Sequence, residues 1–414
     1  MKKNILLIAY VFPPYPGIGG RRWAKMAKYL AKKGYAVHVI TAANPFEENS
    51  LWTDDVKQEG IHVHEIPPHY PAVLLKSKLS IADKVRYRIW INRLKKKHRG
   101  SIYDRSLEWK EELYRAAFPL IRKHDIRHVI STGAPFRVLH YAVNLKEEFP
   151  SLKVIADFRD PWTSGRSYGF DNMTAEDRAV EEQLEKEVVE RADAVLAPAT
   201  EILDDLEKRY GHAHKFMHLP HAFDSEDFSA ASAQPAFPPE IFSFAFAGTI
   251  YKGLENRLDK LAALLRKLKL EQPALYAKIR IDFYTNDSRH AVIFKDLPEA
   301  VQFFPPRPPR LLFAELKRYR FALILFTEQY KDYLSTKFWE FFYLRMPLIY
   351  IGPEGRVSEQ IRSSDLGEAF TGADGEQKLL DFISAGGRNE FGYRIDTSAY
   401  SCENMTDKLE TLLG

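Results

Sequence analysis

The stretch that most constrains this chain is residues 4–34, "NILLIAYVFPPYPGIGGRRWAKMAKYLAKKG". An apolar run over 5–12 is followed by a turn containing Gly17, Gly19 and Gly20. Trp23, Met26, Ala27 and Leu30 then recur at helical spacing with lysines between them. Gly34 stands where a helix C-cap belongs, and 35–41 reads as a second strand. Strand, glycine turn, helix, strand is a βαβ unit, the opening of a parallel α/β sheet. The rival reading is a secretory signal beginning at Met1, Lys2 and Lys3. It fails on chemistry: Pro13 and Pro14 end the apolar run early, no small-residue cleavage pattern follows, and Arg21, Arg22, Lys25 and Lys28 come next.

The α/β rhythm continues. Strands are expected at 61–66, 128–131, 154–158 and 192–199. A charged helix over 174–191 should turn Glu181, Glu182, Glu185 and Glu187 mostly to solvent, and a further helix runs through Tyr210. Residues 229–240, "SAASAQPAFPPE", lose all periodicity and read as a linker. Beyond them, a strand at 242–249, a glycine-containing loop, a helix over 256–268 and strands at 279–284, 321–326 and 348–351 repeat the pattern. At 414 residues the chain exceeds the roughly 250–300 at which one core stops growing. The expected architecture is α/β, with two doubly wound Rossmann-like domains over 1–228 and 241–414 facing a cleft, and the last helix packing back on the first domain. Open sheets of this kind bind ligands outside the carboxyl ends of their strands.

A lone Cys402 allows no internal disulfide, and no His or Cys spacing suits a metal, so neither a metal nor another cofactor is expected. No apolar run approaches the roughly 20 residues of a spanning helix. The expected setting is cytoplasmic, without a nucleic-acid partner. The net charge of +4 is small but uneven. Over 76–110, Lys84, Arg86, Arg88, Arg93, Lys95, Lys96, Lys97 and Arg99 interleave with Ile81, Val85, Tyr87, Ile89, Trp90, Ile91 and Leu94. Such a segment suits peripheral contact with an anionic bilayer, and equally a solvated helix face beside a core stripe.

Candidate chemistry concentrates in 331–355, "KDYLSTKFWEFFYLRMPLIYIGPEG". Ser335 or Thr336 would cap a helix over 337–344 whose first amides hold phosphate. Lys337 offsets diphosphate charge at that end. Asp332 and Glu340, spaced Asp-x7-Glu, offer one carboxylate for sugar hydroxyls and one for a ribose. Acid pairs beside a lysine are common on surface helices, so context decides.

That context is a resemblance. Residues 10–41, "STGAPF", "DFRDPW", "FAFAGTIYKG" and the paired acids followed by "FWEFFYLRMP" are similar, in this order, to GT-B fold glycosyltransferases of the family 4 type, in the subgroup building bacterial surface polysaccharides. Asp332 stands where that family usually has Glu, and Thr249 where many members carry a phosphate-binding Arg. The resemblance implies sugar transfer from a nucleotide sugar to a saccharide or lipid-linked acceptor, with retention of configuration. It implies that Lys252, Lys337 and the amides at Ser335 and Thr336 cradle the diphosphate. Gly248 would lie beside the donor, Glu340 would take the ribose, and Asp332 would bind the sugar ring. In the first half, Gly19 and Gly20 would let backbone approach the donor or acceptor. Nucleobase contacts are expected around 284–287 and 304–310.

"DFRDPW" leaves two readings: Asp157, Arg159 and Asp160 contact substrate at the end of a buried strand, or an Asp–Arg lock shapes the loop with Trp162 packed beneath. His140, on an apolar helical face, reads as a core histidine, and His221 is ambiguous. Three alternatives compete. A nucleotide-sugar 2-epimerase of the same fold would want more carboxylates. A catalytically inactive nucleotide-sugar-binding subunit fits the Asp332 departure. A dinucleotide-dependent dehydrogenase would need Gly-x-Gly-x-x-Gly spacing that "GIGGRRW" lacks.

Overall fold

A strand with an unbroken apolar run can be stable only with both faces covered, and that is how the chain begins. In the computed structural model Ile5, Leu6, Leu7 and Ile8 of β1 (Asn4–Ile8) are all buried. The structure describes residues 3–76, 78–165, 170, 173–229 and 234–414. Met1 and Lys2, residue 77 of the basic segment and residues 230–233 of the expected linker lie outside them.

After β1 come α1 (Arg21–Lys32), β2 (Ala36–Ala42), β3 (Ile61–Ile66), α2 (Ile81–Lys97), α3 (Lys110–Lys123), β4 (His128–Gly133) and α4 (Arg137–Asn144). Then follow β5 (Lys153–Phe158), α5 (Ala175–Arg191), β6 (Ala194–Ala197), α6 (Thr200–Tyr210) and β7 (Phe216–His218). The seven strands pair in parallel in the order β3-β2-β1-β4-β5-β6-β7. Strand order reverses between β1 and β4, where Leu6 lies opposite Val129, so the loops leaving those two strands flank a switch point.

The second sheet is built from β8 (Phe242–Ala247), β9 (Ile279–Tyr284), β10 (Val301–Phe304), β11 (Phe321–Leu325), β12 (Leu348–Gly352) and β13 (Gly367–Thr371). Its parallel order is β10-β9-β8-β11-β12-β13, with the switch point between β8 and β11. Its helices are α7 (Glu255–Glu271), α8 (Pro273–Tyr276), α9 (Pro309–Leu316), α10 (Thr336–Tyr343), α11 (Arg356–Ser363) and α12 (Gly375–Ser384), and α13 (Cys402–Glu410) closes the chain. β13 starts at a residue that must be glycine. Gly367 has φ +158°, and a Cβ there would lie 1.9 Å from the Leu348 carbonyl oxygen.

The compact units are Met1–Pro220 with Cys402–Gly414, and His221–Ser401. The division therefore falls at Pro220, ahead of the expected linker. Phe223 and Phe228 belong to the second unit because they stack on Tyr343 and Phe313, at centroid distances of 4.3 Å and 4.3 Å. In the first unit α13 lies on α1: Thr406 bonds Met26 Sδ at 3.7 Å and Lys33 pairs with Glu410 at 2.8 Å. Among the described residues no helix is long and apolar enough to cross a membrane.

Two expectations for α5 and α4 are corrected. Glu181 and Glu185 are fully buried. Glu181 accepts from Arg137 at 2.6 Å, the Ser101 amide at 2.8 Å and Trp162 Nε1 at 2.9 Å, while Glu185 takes Thr163, Arg209 and Tyr210. A buried carboxylate survives only with such donors, and burial still raises the pKa of Glu181 above the usual carboxylate range. His140 is not a core residue: it is half-buried and meets Glu187 at 2.8 Å.

Candidate active site

In the first unit the three quoted motifs converge on one side chain. Arg159, just past β5, donates through Nη1 to the Gly19 carbonyl and through Nη2 to the Ala134 carbonyl at 2.9 Å. It thereby ties the loop after β1 to the loop after β4 across the switch point. The Asp–Arg lock continues to Asp160, whose carboxylate accepts from Arg159 Nε at 3.3 Å. Gly19 is needed for this, since a Cβ would sit 2.9 Å from Arg159 Nη1. At Gly20 the loop packs closely on itself, a Cβ there meeting Phe12 Cα at 3.2 Å. The space expected to admit a ligand at Gly19 and Gly20 is thus filled by the protein.

Asp157 is wholly enclosed. One oxygen accepts from Trp23 Nε1 at 2.7 Å and Thr132 Oγ1 at 2.8 Å, and the other from Arg22 at 3.2 Å. Arg22 in turn donates to the carbonyls of Leu219 and Pro220. Asp157 therefore has no face open to a substrate. Asp160 does: its side chain is 40% exposed. Trp162 lies beneath, stacked on Phe136 at 5.3 Å and 9°. Sequence reasoning missed Arg22, Trp23 and Thr132. Trp23 registered only as an apolar helix position, although its indole N–H must find an acceptor when buried.

In the second unit, the loops after β8 and β11 touch. Tyr251 stacks on Tyr330 with centroids 4.1 Å apart, and a Cβ on Gly253 would lie 3.4 Å from Thr327. Beside Tyr251, Lys252 is exposed, with no ion pair or hydrogen bond through its ammonium among the described residues. Gly248, at φ +155°, has no atom within 4 Å of where a Cβ would stand, so the chain is open there. The α10 helix begins at Thr336 with Ser335 as N-cap. The Ser335 hydroxyl makes no capping bond, contrary to expectation, which leaves first-turn amides without a side-chain acceptor.

Lys337, in that first turn, pairs with Glu340 at 2.7 Å. Glu340 is 1% exposed, so the expected ribose acceptor is closed in. Asp332 is half-buried and accepts from the Arg356 amide at 2.9 Å, holding the start of α11. Gly355 makes this possible, because a Cβ there would be 2.7 Å from Asp332 Oδ1. Among the expected nucleobase contacts, Tyr284 is buried and committed, stacking on Phe304 at 5.1 Å and sharing a hydrogen bond with Tyr319 at 3.0 Å.

No protein-family model matches the chain. No curated protein matches it either. Solved structures do. Sucrose-phosphate synthase from Thermosynechococcus elongatus superposes with a TM-score of 0.63 at 12% identity, over 100% of this chain and 98% of that one. The Anabaena protein HepE in complex with UDP gives 0.61 at 10% identity, over 99% of both chains. A protein described as a UDP-N-acetylglucosamine 2-epimerase from Listeria monocytogenes gives 0.57 at 9% identity, over 100% of this chain and 96% of that one. The chain has the two-domain, Rossmann-like GT-B fold.

Proposed function

We propose that the protein is a glycosyltransferase of the hexosyltransferase kind. It would move a sugar from a nucleotide-sugar donor to a saccharide or lipid-linked acceptor, with retention of configuration, in cell-surface polysaccharide synthesis. The observation carrying this reading is the switch point of the second sheet. Two touching loops there present an unpartnered Lys252 and the uncapped start of α10, with Lys337 in its first turn. A departing nucleoside diphosphate needs cations and preorganised amides, and it needs water kept away. A uridine diphosphate sugar is the first donor class to test, because HepE of the same fold has been captured with UDP-glucose.

In this reading Lys252, Lys337 and the amides at Ser335 and Thr336 hold the diphosphate, and Gly248 gives it room. Glu340 acts through Lys337, whose ammonium it anchors; direct contact with a ribose would require its carboxylate to be uncovered. Asp332 has one oxygen committed to Arg356 and meets the sugar with the other. Asp160, the open acid of "DFRDPW", takes the acceptor hydroxyl, while Asp157 and Arg159 are positioning residues. No step in this scheme calls on a metal.

The test is a thermal-shift screen with UDP-glucose, UDP-N-acetylglucosamine and GDP-mannose, followed by an assay for labelled sugar on acceptor. A melting temperature that none of the donors raises overturns the reading. The Listeria likeness favours one second reading, donor epimerisation. Conversion of UDP-N-acetylglucosamine without any acceptor would select it, and donor binding without turnover would select an inactive binding subunit.

A further inference from the structure

The α2 helix carries two apolar rows on opposite sides, and the protein uses one. Leu94 is buried against Tyr70, Ile102 and Leu107, with Ile91 packed alongside. On the opposite side Ile81, Val85 and Ile89, spaced four apart and therefore aligned along one row, are 84%, 56% and 59% exposed. Three aligned aliphatic side chains in water are unusual, where single exposed ones need no account.

Charge tells what covers the row. By helical geometry Lys84, Arg88 and Lys95 run along one side of it, Arg86 and Arg93 along the other, and Lys96 continues its line. All six are exposed, and among the described residues none makes an ion pair or hydrogen bond through its side chain. The helix's one acid, Asp83, is turned inward, paired with Lys76 at 3.0 Å and closing a capping box with Ser80. The exposed surface of α2 thus presents cations and aliphatic carbons with no anion. Past Ile89, a surface groove is lined by Asn92, Arg93 and Lys96, whose cations suit an anionic headgroup, and by Lys97, which is already paired with Glu108.

We infer that α2 docks flat on an anionic lipid bilayer, with Ile81, Val85 and Ile89 at the acyl boundary and Lys84, Arg86, Arg88, Arg93, Lys95 and Lys96 among the headgroup phosphates. An interfacial helix needs this combination, an apolar strip to enter the boundary and basic flanks to find the surface. A protein partner covering the strip would have to supply acids on both of its sides, whereas an anionic lipid surface supplies them in every direction. The inference deepens the lipid-linked acceptor reading but does not depend on catalysis.

The experiment is flotation of the full chain with vesicles of phosphatidylcholine, alone or mixed with phosphatidylglycerol. The protein should rise with mixed vesicles at low salt, stay down with phosphatidylcholine alone, and be released as salt screens the contact. Each cation removed should lower partitioning about fivefold, so Lys84→Ser with Arg88→Ser should lower it roughly 30-fold. The triple variant I81S/V85S/I89S should fall more than about tenfold, with an unchanged melting temperature because these side chains are exposed. Failure of the native chain to rise overturns the inference, as does a triple or double variant that floats like the native chain. A dimer that the triple variant dissociates, without vesicle binding, gives the row to a second copy and also overturns it. Thermal shift with UDP-glucose on the same variants should not change, so the docking and transferase readings fail separately.

Discussion

The two switch points are built alike and finished differently. In the first unit the polar groups around the crevice are spent on one another: Asp157 is saturated by Arg22, Trp23 and Thr132, and Arg159 by two loop carbonyls. In the second unit the loops are joined by an aromatic stack, and among the described residues Lys252 and the first amides of α10 remain uncommitted. A crevice whose charges are already paired is a rigid frame. One with an uncommitted cation, here Lys252, is where an anion gains most, because no internal partner has to be displaced.

The largest test of that contrast is Asp157→Ala. Removing the carboxylate leaves a buried guanidinium, indole and hydroxyl without their acceptor, and denaturant unfolding should show a loss of about 3–5 kcal/mol. A loss below about 1 kcal/mol would mean that the frame does not depend on it.

Acid should expose a second asymmetry. His38 is buried with both ring nitrogens unpartnered, 4.9 Å from His62, 5.9 Å from His64 and 4.1 Å from His124 between ring centroids. Burial, then the neighbouring His124, His62, His64 and Lys123, lowers its pKa from 6.5 to about 4. The unfolded chain therefore takes up a proton below pH 6.5 that the folded chain refuses until about 4. Stability is complete above that window and drains as pH falls through it, by about 2 kcal/mol at pH 5. The second unit's only histidines are His221 and His290, so hydrogen exchange should show the first unit opening first, and His38→Asn should flatten the profile.

Lys252→Ala should weaken UDP-glucose about tenfold by calorimetry, some 1.4 kcal/mol, without moving the melting temperature. Unchanged affinity would remove Lys252 from the site. The smallest effect belongs to Tyr251→Ala, which breaks a partly exposed ring pair. About 0.5–1.5 kcal/mol of stability should go, well under the cost of losing Asp157.

Much of the fold was legible because periodicity is a local signal. β3, predicted over 61–66, and β9, predicted over 279–284, form with those limits, since each is an unbroken strand pattern between breakers. β13 was not legible. "GEAFT" has little apolar content, and it becomes a strand only because β12 offers a free edge and Gly367 lets the backbones approach. The site divides the same way. Lys252 and Lys337 were nameable from type and position, but whether a charge is spent depends on partners far along the chain. Asp157 meets Arg22 and Trp23 across more than 130 positions, and no spacing rule encodes that.

By itself the sequence determined that two parallel sheets form, where their glycine turns lie, and that a basic segment interleaved with apolar residues follows β3. These rest on propensity and pattern, which act within a few residues. Tertiary structure alone decided which row of α2 is left in water, which acid of "DFRDPW" stays open, and that Glu181 and Glu185 go inside. Burial is a property of the assembled surface, and a side chain's charge is committed or free only once distant partners have arrived.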